Sequence, residues 1–125
     1  MLVDDDLVHW SGRHVVYTDP MEGTGAGPTE SPFVFERDGR WYLLIGPDYE
    51  ALVRPFAETG RYDLSAYRRT SVLVSDDPMH FDVADRVATI DAHAAEVIVD
   101  EHGGWWVTHC GWGQGGVWLA PLRWQ

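Results

Sequence analysis

Cysteine is almost absent from this chain, and its scarcity limits how the fold can be stabilised. Among 125 residues, Cys110 is the only cysteine. A single cysteine excludes an internal disulfide and a metal cage built from cysteines. We expect Cys110 to be a small buried residue rather than a nucleophile.

Basic residues are also few. The chain has 9 Lys and Arg residues against 20 Asp and Glu residues, a formal net charge of −11. A field of this sign repels phosphate backbones, so nucleic acid is not an expected partner. The same charge is compatible with a neutral sugar or a bound cation.

Long apolar runs are missing as well. No stretch approaches the length of a transmembrane helix, so no membrane association is expected. Residues 1–6 are acidic and lack the basic and apolar regions of a signal peptide. The sequence therefore predicts a soluble, cytoplasmic protein.

Tryptophan, by contrast, is abundant. The chain has seven Trp residues, and 45% of its residues are hydrophobic. This composition predicts one domain with a packed core, in which most of the Trp side chains are buried. Trp also stacks well on the apolar faces of sugars.

A repeat links two parts of the chain. Residues 31–43 and 95–107 each contain an apolar strand, an acidic turn that ends in glycine (Gly39 or Gly103), and an aromatic strand. Those glycines supply the positive φ that tight hairpins need. The dipeptide Asp38-Gly39 is in itself a strong hairpin signal.

A second repeat overlaps the first. Residues 2–10 match residues 73–81, with a shorter echo at 117–124, and each is a strand, a polar or proline-bearing turn and a closing aromatic. Interleaved, the two repeats describe the four-stranded blade of a β-propeller. A β-sandwich made of hairpins is the alternative for the same strand spacing.

The repeats divide the chain into about two and a half blades of an all-β, incomplete propeller ring. The end of one blade covers residues 1–20, a full blade covers 29–88, and three strands of the next cover 93–125. An insertion at 47–69 interrupts the full blade. We expect coil at 49–56, because Pro55 limits a helix there.

Glu30 is the first candidate for chemistry. It stands at the start of a predicted innermost strand, and such strands line the central channel in which propellers bind ligands. Pro32 stiffens this start and can fix the direction of the carboxylate. A carboxylic acid in a narrow channel can serve as a proton donor. The alternative is a Glu that only caps a strand.

His93 and Glu96 lie where the chain enters the innermost strand of the next blade, and Glu96 falls within that strand. They face opposite sides of an extended chain unless the strand is bulged. His93 aligns with the channel and is a candidate sugar ligand, or a structural histidine. Glu96 is a further candidate contact.

The segment 108–116 ends the following strand and carries His109 and Trp112. Its glycines lack the Lys and the helix of a phosphate loop. Trp112 either stacks on a sugar or caps the blade, and His109 is a candidate sugar contact. The run 4–6, with Asp76 and Asp77, is typical of turns rather than of a metal site.

These motifs together resemble the five-bladed propeller glycosidases, a group of invertases, fructanases, arabinanases and xylosidases. The resemblance is carried by Glu30-Ser31-Pro32-Phe33 with residues 39–44, by residues 93–98 with 100–106, and by residues 6–11. It implies that Glu30 is the general acid. It also implies that His93 lies near the propeller axis, where some members hold a calcium ion beside a histidine.

The chain departs from this family in one respect. The family uses an Asp on the first blade as nucleophile or base and a second Asp to tune the acid, and neither has a counterpart here; Asp4 and Asp19 stand in the wrong context. Glycoside hydrolysis needs two carboxylates. We therefore expect a glycosidase-like part completed by missing N-terminal blades, a carbohydrate-binding half-propeller that closes as a homodimer, or a non-catalytic interaction domain.

Overall fold

The computed structural model describes residues 12–19, 29–61 and 63–125. The first of its two sheets is a four-stranded antiparallel meander in chain order. Its strands are β1 (Glu30–Arg37), β2 (Arg40–Gly46), β3 (Thr70–Ser75) and β4 (Arg86–Ile90).

The second sheet has three antiparallel strands in the described part of the chain, also in sequence order. They are β5 (Glu96–Val99), β6 (Trp105–His109) and β7 (Trp118–Pro121). The chain is thus mostly antiparallel β, as the repeats predict. Within the described residues, the sheets do not close a ring. The matching repeat at 2–10 lies outside the described residues.

The hairpin predicted at Asp38-Gly39 is confirmed. Arg37 pairs with Arg40, and the two loop residues have φ values of 53° and 77°. Positive φ at both positions is what a two-residue hairpin turn of the favoured twist requires.

The β5–β6 hairpin is held by a carboxylate. Asp100 accepts hydrogen bonds from the backbone N–H groups of His102 and Gly104, and from the indole N–H of Trp106 at 2.7 Å. The indole bond is the main reason that the pKa of Asp100 is lowered. Asp77 acts similarly in the β3–β4 connection, where it accepts from the N–H of Met79. The prediction of turn chemistry for Asp77 is therefore confirmed.

The coil predicted at 49–56 is wrong. Residues Tyr49–Thr59 form helix α1, followed by a 3₁₀ helix at Leu64–Arg68. Pro55 removes one helical hydrogen bond, but Leu52 packs against Ala66 in a small buried cluster. Gly60 adopts a left-handed conformation and donates to the Phe56 carbonyl, which ends the helix. Tertiary packing here outweighs the cost of the proline.

Helix α1 is anchored to the sheet by a buried carboxylate. The side chain of Asp48, only 5% exposed, lies 3.1 Å from the guanidinium of Arg86 and 3.5 Å from that of Arg69. Arg86 also pairs with Glu50, at 2.6 Å. The helix start is thereby tied to both β4 and the residue before β3.

The main core lies between the two sheets. Leu44 and Val72 of the first sheet share a buried cluster with Val97 and Val107 of the second. At one end of this interface the rings of Tyr42 and Trp124 lie 5.3 Å apart. The sheets therefore pack face to face, as consecutive propeller blades do.

The opposite face of the first sheet is also covered. Leu43 and Phe81 pack there with Val16 and Tyr17, and the Phe81 N–H donates to the Val16 carbonyl at 2.7 Å. Burial, with the nearby charge of Asp19, raises the pKa of Tyr17 to about 12. Residues 12–19 are thus part of the packed fold.

Two smaller observations complete the fold. Cys110 is exposed, so the prediction of a buried cysteine is wrong. Among the described residues, no helix is both long and apolar enough to cross a membrane.

Candidate functional site

Glu30 is the first residue of β1 and pairs with Gly46. The pairing register shifts between Glu30 and Phe33, and Ser31 has a φ of 53°. Pro32 has no N–H to give to the ladder, which fits a bulge at this point. Because of this bulge, Glu30 does not share the regular alternation of side-chain directions along the rest of β1.

The Glu30 carboxylate is partly enclosed. Its side chain is 34% exposed, yet its Oε1 atom is buried and accepts no hydrogen bond from the described residues. The Nδ1 atom of His93 lies 3.7 Å from this oxygen. A carboxyl oxygen that is buried and unpaired is the kind of atom that takes part in binding or proton transfer.

His93 is held in one orientation by a backbone carbonyl. Its Nδ1 atom lies 2.9 Å from the carbonyl oxygen of Tyr67, and its side chain is only 16% exposed. A carbonyl can only accept, so Nδ1 carries the proton and the neutral ring keeps a lone pair on Nε2. The contact with Glu30 is longer than a hydrogen bond and becomes an ion pair only when His93 is protonated.

The backbone around His93 is fixed on both sides. The hydroxyl of Thr70 donates to the carbonyl of Ala92 at 2.6 Å, and the N–H of Cys110 donates to the carbonyl of His93 at 3.0 Å. The next residue, Ala94, has a φ of 52°. Positive φ thus follows His93 just as it follows Glu30, and such a conformation costs about 1–3 kcal/mol in a residue other than glycine.

Trp112 closes this cluster. Its ring stacks on Tyr67 at 5.2 Å and meets the edge of the His93 ring at 4.9 Å. The side chain is 38% exposed. Trp112 thus caps a ring cluster and still presents surface, and its role in stacking on a sugar stays a prediction.

A cavity of about 280 Å³ opens beside His93 and Trp112. His109 also lines it, and its Nδ1 atom is buried without a hydrogen-bond partner among the described residues. The polar side chains of Arg68, Asp91 and Gln114 complete the wall. A wall rich in donors and acceptors with one exposed indole suits a hydroxylated ligand.

The structure brings together most of the predicted site residues. His93, His109 and Trp112 share the cavity, and Glu30 adjoins it through His93. Glu96 is exposed at the start of β5, opposite Thr108, and does not line the cavity. Its role as a sugar contact stays a prediction.

Sequence reasoning missed Tyr67, Arg68, Asp91 and Gln114. Tyr67 and Arg68 belong to the insertion, and their position depends on how that segment folds back on the sheet. No motif marks them. Asp91 stands two residues before His93, and Gln114 stands two residues after Trp112, so these two lie next to residues that the sequence did identify.

No cluster of three or more His, Cys, Asp or Glu side chains suitable for a metal ion occurs within residues 12–19, 29–61 and 63–125. The calcium ion that the family resemblance implies stays a prediction.

Comparison with known proteins gives a likeness in structure but none in sequence. No family model matches the chain, and no curated protein matches it. Among solved structures, the chain is similar to an exo-1,5-α-L-arabinanase from a bovine ruminal metagenomic library, with a TM-score of 0.62 and 14% identity over 98% of the chain. The chain spans 44% of the length of that structure. At this identity the likeness shows the fold, which is that of an arabinanase-like propeller.

Proposed function

We propose that this chain is part of a glycoside hydrolase-like propeller that acts on carbohydrate, with Glu30 as the proton donor. One observation carries the proposal: the buried, unpaired Oε1 atom of Glu30 lies 3.7 Å from Nδ1 of His93, and His93 lines a polar cavity. The arabinanase-like fold supports it. The likeness favours arabinan-type oligosaccharides over the substrates of invertases and fructanases as first compounds to test.

Each residue of the cluster has a part in this proposal. Protonated Glu30 gives its proton to the glycosidic oxygen as the bond to the anomeric carbon breaks. The Nε2 lone pair of His93 accepts a hydrogen bond from a sugar hydroxyl, and Nδ1 of His109 pairs with another. Trp112 offers its exposed face to the apolar side of a sugar ring.

Hydrolysis also needs a second carboxylate to act on the anomeric carbon directly or through water. The sequence has no counterpart of the family's first-blade Asp. We propose that this group comes from further blades or from a second chain, so that the chain alone binds sugar more readily than it cleaves it.

The test is binding and hydrolysis of α-1,5-linked arabino-oligosaccharides, followed by NMR and by reducing-end assay. The wild-type chain should bind them with shifts at the indole of Trp112 and the ring of His93. If it hydrolyses them, Glu30→Gln should lower the rate about 100-fold or more. Glu101→Gln, at an exposed hairpin position, is the matched control and should change nothing.

Two results would contradict the proposal. Absence of binding across neutral oligosaccharides would remove the carbohydrate site. If the wild-type chain hydrolyses the oligosaccharides, equal activity of Glu30→Gln and Glu101→Gln would show that Glu30 is not the acid.

A second candidate function is a non-catalytic half-propeller that closes its ring as a homodimer. The outer face of the second sheet favours it, because Ile98 and Leu119 remain 47% and 58% exposed there. In β-strands alternate residues share a face, which adds Trp106 and Pro121 to this apolar surface. A second copy would bury it and cover the edge of β7 that pairs with no other strand among the described residues.

Light scattering distinguishes this alternative. A dimer at micromolar concentration that Leu119→Arg converts to a monomer supports it. A wild-type monomer at that concentration excludes it. Loss of sugar binding in the monomeric variant would connect the two proposals, because the binding site would then need the second copy.

A further inference from the structure

A second and larger cavity lies between the sheets and shares no lining residue with the candidate sugar site. Its volume is about 380 Å³. All four strands of the first sheet line it, but the second sheet contributes only Val97, and residues 122–125 form the remaining wall. The second sheet has one strand fewer in the described residues, so β3 and β4 lie opposite this short segment rather than opposite a strand.

Most of the wall is apolar. Leu44, Val72, Val74 and Val97 provide aliphatic surface, and Tyr42 and Trp124 provide aromatic surface. Cavities of this size and lining are typical of sites for small organic ligands.

Among the described residues, the charged side chains of this cavity are all of one sign. Arg37, Arg40 and Arg123 line it, and no described Asp or Glu does. The chain has only 9 basic residues against 20 acidic ones, so a third of its cations stand at one cavity. The cavity therefore carries positive charge, although the formal net charge of the whole protein is −11.

The partners of these arginines leave them available. Arg37 and Arg40 pair with Asp38 and Asp76, each at 3.1 Å, but these carboxylates are 77% and 87% exposed. Ion pairs that water screens in this way contribute little. Arg123 pairs with no carboxylate in the part of the chain that the structure describes.

Arg37 is also held in place from the cavity side. Its guanidinium lies over the Trp124 ring, 4.3 Å from the ring centre. A cation fixed on an indole face loses less freedom when it binds an anion, so it makes a preorganised donor.

We propose that this cavity binds a small amphiphilic anion, with an apolar body against the aliphatic wall and a carboxylate at the arginines. Guanidinium groups bind carboxylates through paired hydrogen bonds, so the arginines favour a ligand with a carboxylate head group. The apolar lining favours a ligand with an aliphatic body. The site is independent of the carbohydrate function proposed above.

The test compares three probes built on a straight chain of eight carbons, of which the last is the carboxylate carbon in octanoate: octanoate, octan-1-ol and octyltrimethylammonium. Binding to the intact chain is followed by NMR at the Trp124 indole and at the methyl groups of Val74 and Val97. Octanoate should bind about ten-fold more tightly than the alcohol. The cation should not bind.

Two arginine variants locate the head group. Arg123→Gln should weaken octanoate binding about ten-fold and leave octan-1-ol unchanged. Arg61→Gln removes the same charge at an exposed position outside the cavity and should have no effect. Ala88→Trp, at an exposed position on the rim, should block both ligands while the chain stays folded.

Three results would overturn the proposal: equal affinity for octanoate and octan-1-ol, equal effects of Arg123→Gln and Arg61→Gln, or no binding of octanoate at all. Shifts confined to the backbone amides of β7 would also overturn it, because they would indicate a ligand at the sheet edge instead.

Discussion

The Nδ1 atom of His93 lies 2.9 Å from the backbone carbonyl of Tyr67 and 3.7 Å from the carboxylate of Glu30. The shorter contact determines where the proton sits, because the carbonyl has only lone pairs to offer. The inserted segment between β2 and β3 thus sets the protonation pattern of a histidine in the second half of the chain.

The first prediction is that neutral His93 carries its proton on Nδ1. Long-range ¹H–¹⁵N spectra of the imidazoles at a pH above 8 should show this pattern for His93, with His93→Gln providing the assignment. His102, exposed at a hairpin tip, is the internal control and should show an exchange-averaged pattern. An Nε2-bound proton on His93 would contradict the hydrogen bond to Tyr67.

The second prediction concerns the buried carboxylate below helix α1. Asp48→Asn leaves Arg86 and Arg69 without their shared partner, and removing one side of a buried ion pair costs about 3–5 kcal/mol. We expect about 3 kcal/mol, the lower end, because Glu50 still pairs with Arg86. Urea unfolding measures the change in the free energy of unfolding.

The matched control is Asp76→Asn, which breaks an exposed pair with Arg40. It should cost no more than about 1 kcal/mol. Equal losses in the two variants would show that Asp48 is not a buried anchor.

Local features of the fold followed from the sequence, whereas features that depend on distant contacts did not. Asp38-Gly39 identified its hairpin because positive φ at both positions is a property of the dipeptide itself. Helix α1 was missed because Pro55 argues against a helix locally. The helix is stabilised by Leu52 against Ala66 and by Asp48 against two arginines, contacts that no local pattern records.

The residues of the candidate site also fall into those that local sequence identified and those that depend on distant contacts. Glu30 and His93 were identified because each stands just before one copy of the first repeat, where an innermost strand is predicted to start. In the structure, a residue with positive φ follows each of them. Tyr67 and Arg68 reach the site only because the insertion folds back towards His93. Their contribution therefore depends on the tertiary arrangement.

The third prediction is a pH dependence from Asp100. Its pKa is lowered in the folded state, chiefly by the indole of Trp106, so the charged form stabilises the fold. This contribution is complete above the ordinary pKa of 3.8 and is lost as the pH falls through the lower folded value. The difference in urea midpoint between wild type and Asp100→Asn should therefore be largest near pH 6 and should shrink as the pH falls below 3.8.

Trp106→Phe tests the cause of that shift. It removes the indole donor but keeps the two backbone donors. In this background the pKa of Asp100 is lowered less, so the acid loss of stability should be smaller than in the wild type and should be complete at a higher pH. A difference between wild type and Asp100→Asn that stays constant with pH would refute the role given to the carboxylate.

The fourth prediction separates the two roles of Trp112. Trp112→Ala removes the stack on Tyr67 and the edge contact with His93, so it should lower the free energy of unfolding by about 1–3 kcal/mol and weaken sugar binding. Trp112→Phe keeps a ring and should restore most of the stability, but it offers a smaller face to a sugar. If Trp112 contacts the ligand, Trp112→Phe should retain the imidazole signals of His93 and still bind arabino-oligosaccharides several-fold more weakly. If Trp112 only caps the cluster, binding should recover together with stability, and the stacking role would be withdrawn.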